Sequence, residues 1–249
     1  MGELDGLVAV VTGGGSGIGK ACADAFVAAG ARVGALDVHP GTPADDVLPV
    51  AADVTDNAGL AAAMAAVAEQ FGGIDILVNN AGISSVGTVA DNDDAEWHRN
   101  LDVNVVGVAR ATTAALPYLR RSEHAAIVNT SSIAATAGLP QRVLYSATKG
   151  AVHAMTLAMA ADFVAAGIRV NCVEPGTVDT PWVARLLDRT EDPAGERARL
   201  AARQPIGRLV AADEVARAVC YLASPASGST TATALPVDGG MFGLRLPRA

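Results

Sequence analysis

Seven short apolar runs, at 7–12, 32–37, 47–52, 74–79, 125–130, 168–173 and 232–237, alternate along this chain with Ala-rich stretches of helical length. That alternation constrains the fold more than any other feature. An apolar run without polar interruption reads as a strand buried on both faces. Parallel strands need long crossover connections, usually helices, which cover those faces. The helical windows fall at 18–29, 58–71, 94–119, 144–166 and 213–223, so the order is βαβαβ and onward. Gly30 and Gly167 stand where C-terminal glycines are expected, and Ser224 and Pro225 close the last window. The expected fold is α/β: a doubly wound, seven-stranded parallel sheet flanked by helices, in a single domain over 1–249. The stretch 180–208, with Pro181, Pro193 and Pro205 among Arg and Glu, reads as a helical excursion from the sheet. Such a fold would keep a substrate lid there.

With 249 residues, 51% of them hydrophobic, the chain can bury a full core without disulfides or a structural metal. Its 18 Lys and Arg against 26 Asp and Glu give a net charge of -8. That balance disfavours nucleic acid and anionic membrane as partners and favours a small molecule. Cys22, Cys172 and Cys220 are odd in number and form no CxxC, which fits small buried side chains in a reducing compartment. His39, His98, His124 and His153 show no ligand spacing, so no metal is expected. The acidic start lacks the pattern of a signal peptide, and no run of about 18 apolar residues occurs. A soluble, cytoplasmic protein is the expectation.

The first apolar run leads into Thr12-Gly13-Gly14-Gly15-Ser16-Gly17-Ile18-Gly19 and then a helical window. Glycines allow a sharp turn and close approach of a pyrophosphate, which the free N–H groups and dipole of the helix start attract. The spacing is T-G-x-x-x-G-x-G rather than G-x-G-x-x-G; the alternative reading is a turn needed only for tight packing. Asp37 ends the second run 18 residues beyond Gly19, near the position of an acid that binds the adenosine ribose. A carboxylate there repels a 2'-phosphate, and neither Ser16 nor Val38 offers a cation to hold one, so NAD is favoured over NADP. As an ordinary strand-end acid it would carry no such meaning. Asp53-Val54 and Asn79-Asn80-Ala81-Gly82 end the third and fourth runs, where open α/β sheets bind ligands.

Tyr145 and Lys149 are spaced i, i+4 at the opening of a helical window, so phenol and ammonium share a face. An ammonium beside a phenol lowers its pKa, as a tyrosine acid/base near neutrality requires. A YxxxK pair alone is usually helix surface, but three features converge on it. Ser132 follows the fifth run, Asn104 interrupts an apolar helix where an amide needs a partner, and Pro175-Gly176 with Thr180 follows the sixth run.

These segments together, TGGGSGIG at 12–19, Asp53, NNAG at 79–82, Asn104, Ser132, YSATK at 145–149 and PGTVDT at 175–180, resemble the short-chain dehydrogenase/reductase (SDR) family over nearly the whole chain. The resemblance implies a Rossmann fold and an NAD-dependent oxidoreductase that interconverts a secondary alcohol and a ketone. It makes Tyr145 the general acid/base, Lys149 its partner and a ligand of the nicotinamide ribose, and Ser132 a donor to the substrate oxygen. It gives Asn104 a water linked to Lys149. It places the dinucleotide (NAD or NADH) on Gly13, Ser16, Gly17, Ile18, Gly19, Asp37, Asp53, Val54, Asn80, Ala81, Gly82, Tyr145, Lys149, Pro175, Gly176, Val178 and Thr180. A homotetramer is also implied, with the Asn104 and Tyr145 helices at one interface and the segment 241–249 at another.

Two residues depart from the family pattern. Ala232 stands where Thr-Gly is usual before Val-Asp-Gly-Gly, and Glu174 puts a charge directly before Pro175; solvent is the expected surrounding of that carboxylate. Arg142, three residues before Tyr145, and Arg203, near the end of the excursion, either bind a substrate carboxylate or are solvated. Trp182 would put an aromatic surface at the cleft mouth. The neighbouring strings QRVLYSATK and NCVEPGTVDTP look like those of family members acting on short hydroxy acids and deoxy sugar acids. The alternatives are an NADPH-dependent 3-oxoacyl thioester reductase, against which Asp37 counts, and a dinucleotide-binding regulator without turnover.

Overall fold

The computed structural model describes residues 2–42, 46–188 and 190–245. Its elements in chain order are β1 (Val8–Thr12), α1 (Gly17–Ala28), β2 (Arg32–Asp37), β3 (Val47–Ala51), α2 (Asn57–Phe71), β4 (Ile76–Asn79), α3 (Asp94–Leu101), α4 (Gly107–Leu119), β5 (Ala126–Thr130), α5 (Val143–Phe163), β6 (Arg169–Pro175), β7 (Val178–Asp179), α6 (Pro181–Leu187), α7 (Pro193–Ala202), β8 (Val210–Ala211), α8 (Ala212–Ala223) and β9 (Ala234–Val237). Seven strands form one parallel sheet in the order β3-β2-β1-β4-β5-β6-β9. The short pair β7 and β8, which the apolar runs do not reveal, stands apart from it.

Side-chain alternation along the strands splits the core in two. Ala9, Val11, Val33, Val78 and Val173 pack with Cys22 and Phe26 of α1 and Val215, Val219 and Leu222 of α8. Val8, Val10, Leu77, Ile127 and Val170 pack on the other face with Leu60, Met64 and Val67 of α2, Ala111 and Ala115 of α4, and Ala160 of α5. Burial on both sides explains why β1, β4 and most of β2 and β5 show no polar alternation. The strand order reverses direction between β1 and β4, and the carboxyl ends there open a crevice.

The long helical window at 94–119 is broken by one π turn, Asp102–Val106, which carries Asn104. The excursion forms α6 and α7, with a small core of Val183, Leu187, Leu200 and Leu209. Glu174 is not solvated. It points from β6 toward α5, is buried, and pairs with His153.

Ala232 lies just before β9, which begins two residues later than the apolar run, and it has φ = 57°. A Cβ in this left-handed region costs about 1–2 kcal/mol, partly offset by the smaller unfolded-chain entropy of Ala than of Gly. The glycine usual in the resembling family is thus explained by backbone shape. Ala232→Gly should raise the Tm by about 2 °C in a thermal melt, and a Tm unchanged or lowered would refute the strain.

Candidate active site

The crevice holds a cleft of about 510 Å³ lined by Gly13, Ser16, Gly17, Ile18, Asp37, Asp53, Val54, Asn80, Ala81, Gly82, Tyr145, Lys149 and Thr180. Most residues that the sequence assigns to a dinucleotide therefore face one space. The turn after β1 is shaped by its glycines: Gly13 and Gly17 have φ of 67° and 54°, and a Cβ on Gly19 would come 2.0 Å from the Gly13 carbonyl oxygen. Ser16 makes no side-chain cap, so the first N–H groups of α1 are left for a ligand. Asp37 accepts from the Gly15 N–H (3.0 Å) and the His39 N–H (3.0 Å), fixing its carboxylate between the turn and the end of β2. Thr55 donates to Asp53 from both its N–H and its hydroxyl and holds that carboxyl below its ordinary range.

Thr12 ties the turn to the β4 loop, a role that its sequence position did not reveal. Its hydroxyl accepts from the N–H groups of Asn80 (3.0 Å) and Ala81 (3.1 Å), and Asn80 Nδ2 donates back to the Thr12 carbonyl (3.1 Å). A small hydroxyl-bearing residue between an apolar strand and a glycine was the available signal.

Tyr145 and Lys149 line this cleft, Ser132 adjoins Tyr145 in the neighbouring cavity, and Asn104 and Lys149 both lie against Gly82. Lys149 is buried, donates to the Thr130 carbonyl (2.8 Å), and its Nζ lies 5.8 Å from the centre of the Tyr145 ring. Burial lowers the ammonium to a pKa of about 8. Burial also pushes the Tyr145 phenol above its ordinary value, opposed by hydrogen bonding with Ser132 and by the Arg142 charge. Desolvation thus outweighs the lowering expected from a neighbouring ammonium. Ser132 accepts from Ala134 N–H (3.1 Å), which leaves its hydroxyl proton available to the pocket. Asn104 uses its amide fully: Oδ1 accepts from Ile83 N–H (2.8 Å), and Nδ2 donates to the Ile83 carbonyl (2.8 Å) and Thr148 Oγ1 (3.0 Å). Thr148 in turn donates to the Tyr145 carbonyl (2.9 Å), and Ser131 to the Lys149 carbonyl (2.9 Å). Thr148 and Ser131, missed in the sequence, lock the helix that carries the pair.

Beside the cleft lies a second cavity of about 180 Å³, lined by Ser132, Tyr145, Arg142, Arg203, Trp182 and Met241 among others, with Pro175, Gly176 and Val178 along its floor. Tyr145, Thr180 and Trp182 border both spaces. Trp182 is 44% exposed at their junction. Arg142 donates to the Ser85 carbonyl (2.8 Å) and Ser84 Oγ (3.3 Å), whereas Arg203 makes no side-chain hydrogen bond among the described residues. Neither has a carboxylate partner there. Burial lowers the Arg142 pKa, the nearby Tyr145 opposes this, and the Arg203 charge adds to it.

A strand-turn-helix cradle, an inner Tyr-Lys-Ser-Asn group and an adjoining cavity define a dinucleotide oxidoreductase site. The family model described as enoyl-(acyl carrier protein) reductase matches residues 13–242. The cis-4-hydroxycyclohexanecarboxylate dehydrogenase of Sinomonas cyclohexanicum is 43% identical over 245 residues, covering 94% of this chain and 95% of that protein. The ligand-free aldohexose dehydrogenase of Thermoplasma acidophilum superposes with a TM-score of 0.91 at 34% identity, over 99% of both chains. The 3-ketoacyl-(acyl-carrier-protein) reductase of Brucella melitensis, in complex with NADH, gives 0.87 at 35% identity, over 96% of this chain and 99% of that one. The chain belongs to the short-chain dehydrogenase/reductase family and is an oxidoreductase. No helix among the described residues is long and apolar enough to cross a membrane.

Proposed function

We propose that this protein is an NAD(H)-dependent dehydrogenase that interconverts a secondary alcohol and a ketone in a small hydroxy or sugar acid. The observation that carries the substrate reading is the pair Arg142 and Arg203. Both line the cavity beside Tyr145 and Ser132, and neither has an acidic partner among the described residues. Two cations facing one small cavity are costly without an anion between them, and a carboxylate fits guanidinium geometry. The 43% identical relative bears a hydroxy-acid name, which agrees with this reading.

The uncapped start of α1 and the glycines with no room for a Cβ fit a dinucleotide, held by Gly13, Ser16, Gly17, Ile18, Gly19, Asp53, Val54, Asn80, Ala81 and Gly82. Pro175, Gly176, Val178 and Thr180 would hold its nicotinamide end. When bound, the nicotinamide accepts or gives the hydride. The chain does the rest. Tyr145 takes the alcohol proton or returns one to the ketone oxygen, Ser132 donates to that oxygen as charge develops, and Lys149 keeps the phenol ionisable. Asn104 holds the Ile83 backbone and Thr148 in register with them.

Asp37 supports NAD over NADP, because its carboxylate would repel a 2'-phosphate and makes no ion pair among the described residues. Initial rates with the two cofactors in parallel should favour NAD by roughly 100-fold in kcat/KM, as a like-charge clash of several kcal/mol implies. Asp37→Asn keeps an acceptor for the turn and should narrow that ratio at least about tenfold. Turnover with NADP alone would overturn the assignment.

The reading includes a homotetramer. Val143, Leu157 and Val164 are exposed on and just beyond α5, in keeping with an interface on that helix. Of the second implied interface, 241–249, residues 246–249 lie outside the described residues. Sedimentation should give four times the mass of one chain; a monomer would refute it.

A further inference from the structure

Outside the cleft, three side chains with three different donor atoms meet between α5 and β6. Cys172 and Glu174 are two residues apart on β6, so strand alternation turns both toward α5. His153 reaches them from that helix, two turns beyond Tyr145 and one beyond Lys149. Its Nδ1 lies 2.8 Å from Glu174 Oε1, and the imidazole nitrogen, the thiol sulfur and a carboxylate oxygen all fall within 4.8 Å of one another. Cys172 and Glu174 are buried, whereas the His153 side chain is 30% exposed and opens the cluster to solvent. None of the three lines either cavity, so the reaction leaves them unused. A buried carboxylate is costly unless compensated. Among the described residues the one hydrogen-bond partner of the Glu174 carboxylate is His153, which is charged only when protonated.

We propose that His153, Cys172 and Glu174 form a binding site for one divalent cation of the zinc type, with solvent as the fourth ligand. One thiolate, one imidazole and one carboxylate are the donors that zinc takes, whereas magnesium and calcium need oxygen donors in greater number. Bond lengths of about 2.0–2.3 Å in a tetrahedron put neighbouring donors about 3–4 Å apart. The present spacing therefore needs shifts of about 1 Å, within reach of the partly exposed imidazole. On binding, the thiol proton leaves to solvent, and the imidazole proton that faces Glu174 moves to Nε2 so that Nδ1 of the neutral ring can take the ion. The ion would join α5, which carries Tyr145 and Lys149, to the strand that ends at Pro175.

The test is titration of the metal-stripped full-length protein with Co2+ and then Zn2+. One Co2+ per chain should bind with a thiolate-to-cobalt charge-transfer band, Zn2+ should displace it, and saturating Zn2+ should raise the Tm by roughly 5 °C. Cys172→Ser should abolish the band, and His153→Gln should weaken binding at least about tenfold. Absence of a sulfur band, or a band that persists in Cys172→Ser and so reports Cys22 or Cys220, overturns the proposal. Should Cys172→Ser fail to fold, His153→Gln at its partly exposed position decides, since undiminished affinity there would equally contradict the site.

Discussion

Tyr145→Phe should lower kcat by about 10^3-fold or more while leaving cofactor binding within a few-fold of wild type. A positioned acid/base contributes roughly 10^2–10^4-fold, and this phenol is the titratable hydroxyl that borders both the cleft and the adjoining cavity. The substitution removes one oxygen and no packing volume, so stability should hold. The pH profile is a second readout. Alcohol oxidation by wild type should rise with pH, because the phenol must lose its proton to act as base. Burial raises Tyr145 above its ordinary value, so the rise should lie on the alkaline side. Residual activity in Tyr145→Phe should lack it. A variant with near wild-type kcat would mean that another group moves the proton. The regulator alternative predicts no turnover in the wild type and no dependence of its output on the phenol.

The second large effect is on the substrate side. Removing one partner of a desolvated charge pair costs 2–5 kcal/mol, equivalent to about 30–3000-fold in binding. Arg203→Ala should accordingly lower kcat/KM for an acidic substrate by about 100-fold, mainly through KM. This is the cleaner single variant, because Arg203 makes no other side-chain hydrogen bond among the described residues. Arg142→Ala should act more broadly. It also releases the Ser84-Ser85 segment that the guanidinium holds, so kcat should fall with KM. Rates on neutral secondary alcohols should change little in Arg203→Ala. Steady-state kinetics on matched charged and neutral substrates separates the two, and equal losses on both would mean that Arg203 supports the lid rather than the substrate.

The sheet was readable because its inner strands are buried on both faces and its edge strands β3 and β9, though only partly buried, are built of apolar residues, so each run is mostly apolar. The turn after β1 was readable for another reason: several glycines in a row admit positive φ and close approaches that other residues cannot. What escaped depends on distant neighbours. Glu174 looks solvent-bound from its charge, and its burial follows from His153 on another element, 21 residues earlier. The two-residue strands β7 and β8 are too short to show periodicity. The π turn at Asn104 leaves the apolar pattern of its helix nearly unbroken; the amide was its one trace, and the partners Ile83 and Thr148 come from elsewhere. Thr12, Ser131 and Thr148 act through single hydroxyls, which sequence alone does not distinguish from ordinary small polar residues. The arginines were visible as cations near Tyr145, but their convergence on one cavity required the lid to be in place.

The proposed reaction joins NAD, a secondary alcohol and an anion held by Arg142 and Arg203. It is tested most directly by the rate of NADH formation, followed by absorbance, with a cyclic hydroxy acid and with its uncharged methyl ester under the same conditions. The acid should turn over with a kcat/KM about 100-fold or more above that of the ester, as loss of a charged contact implies. Equal rates on both, or turnover of the ester alone, would contradict it.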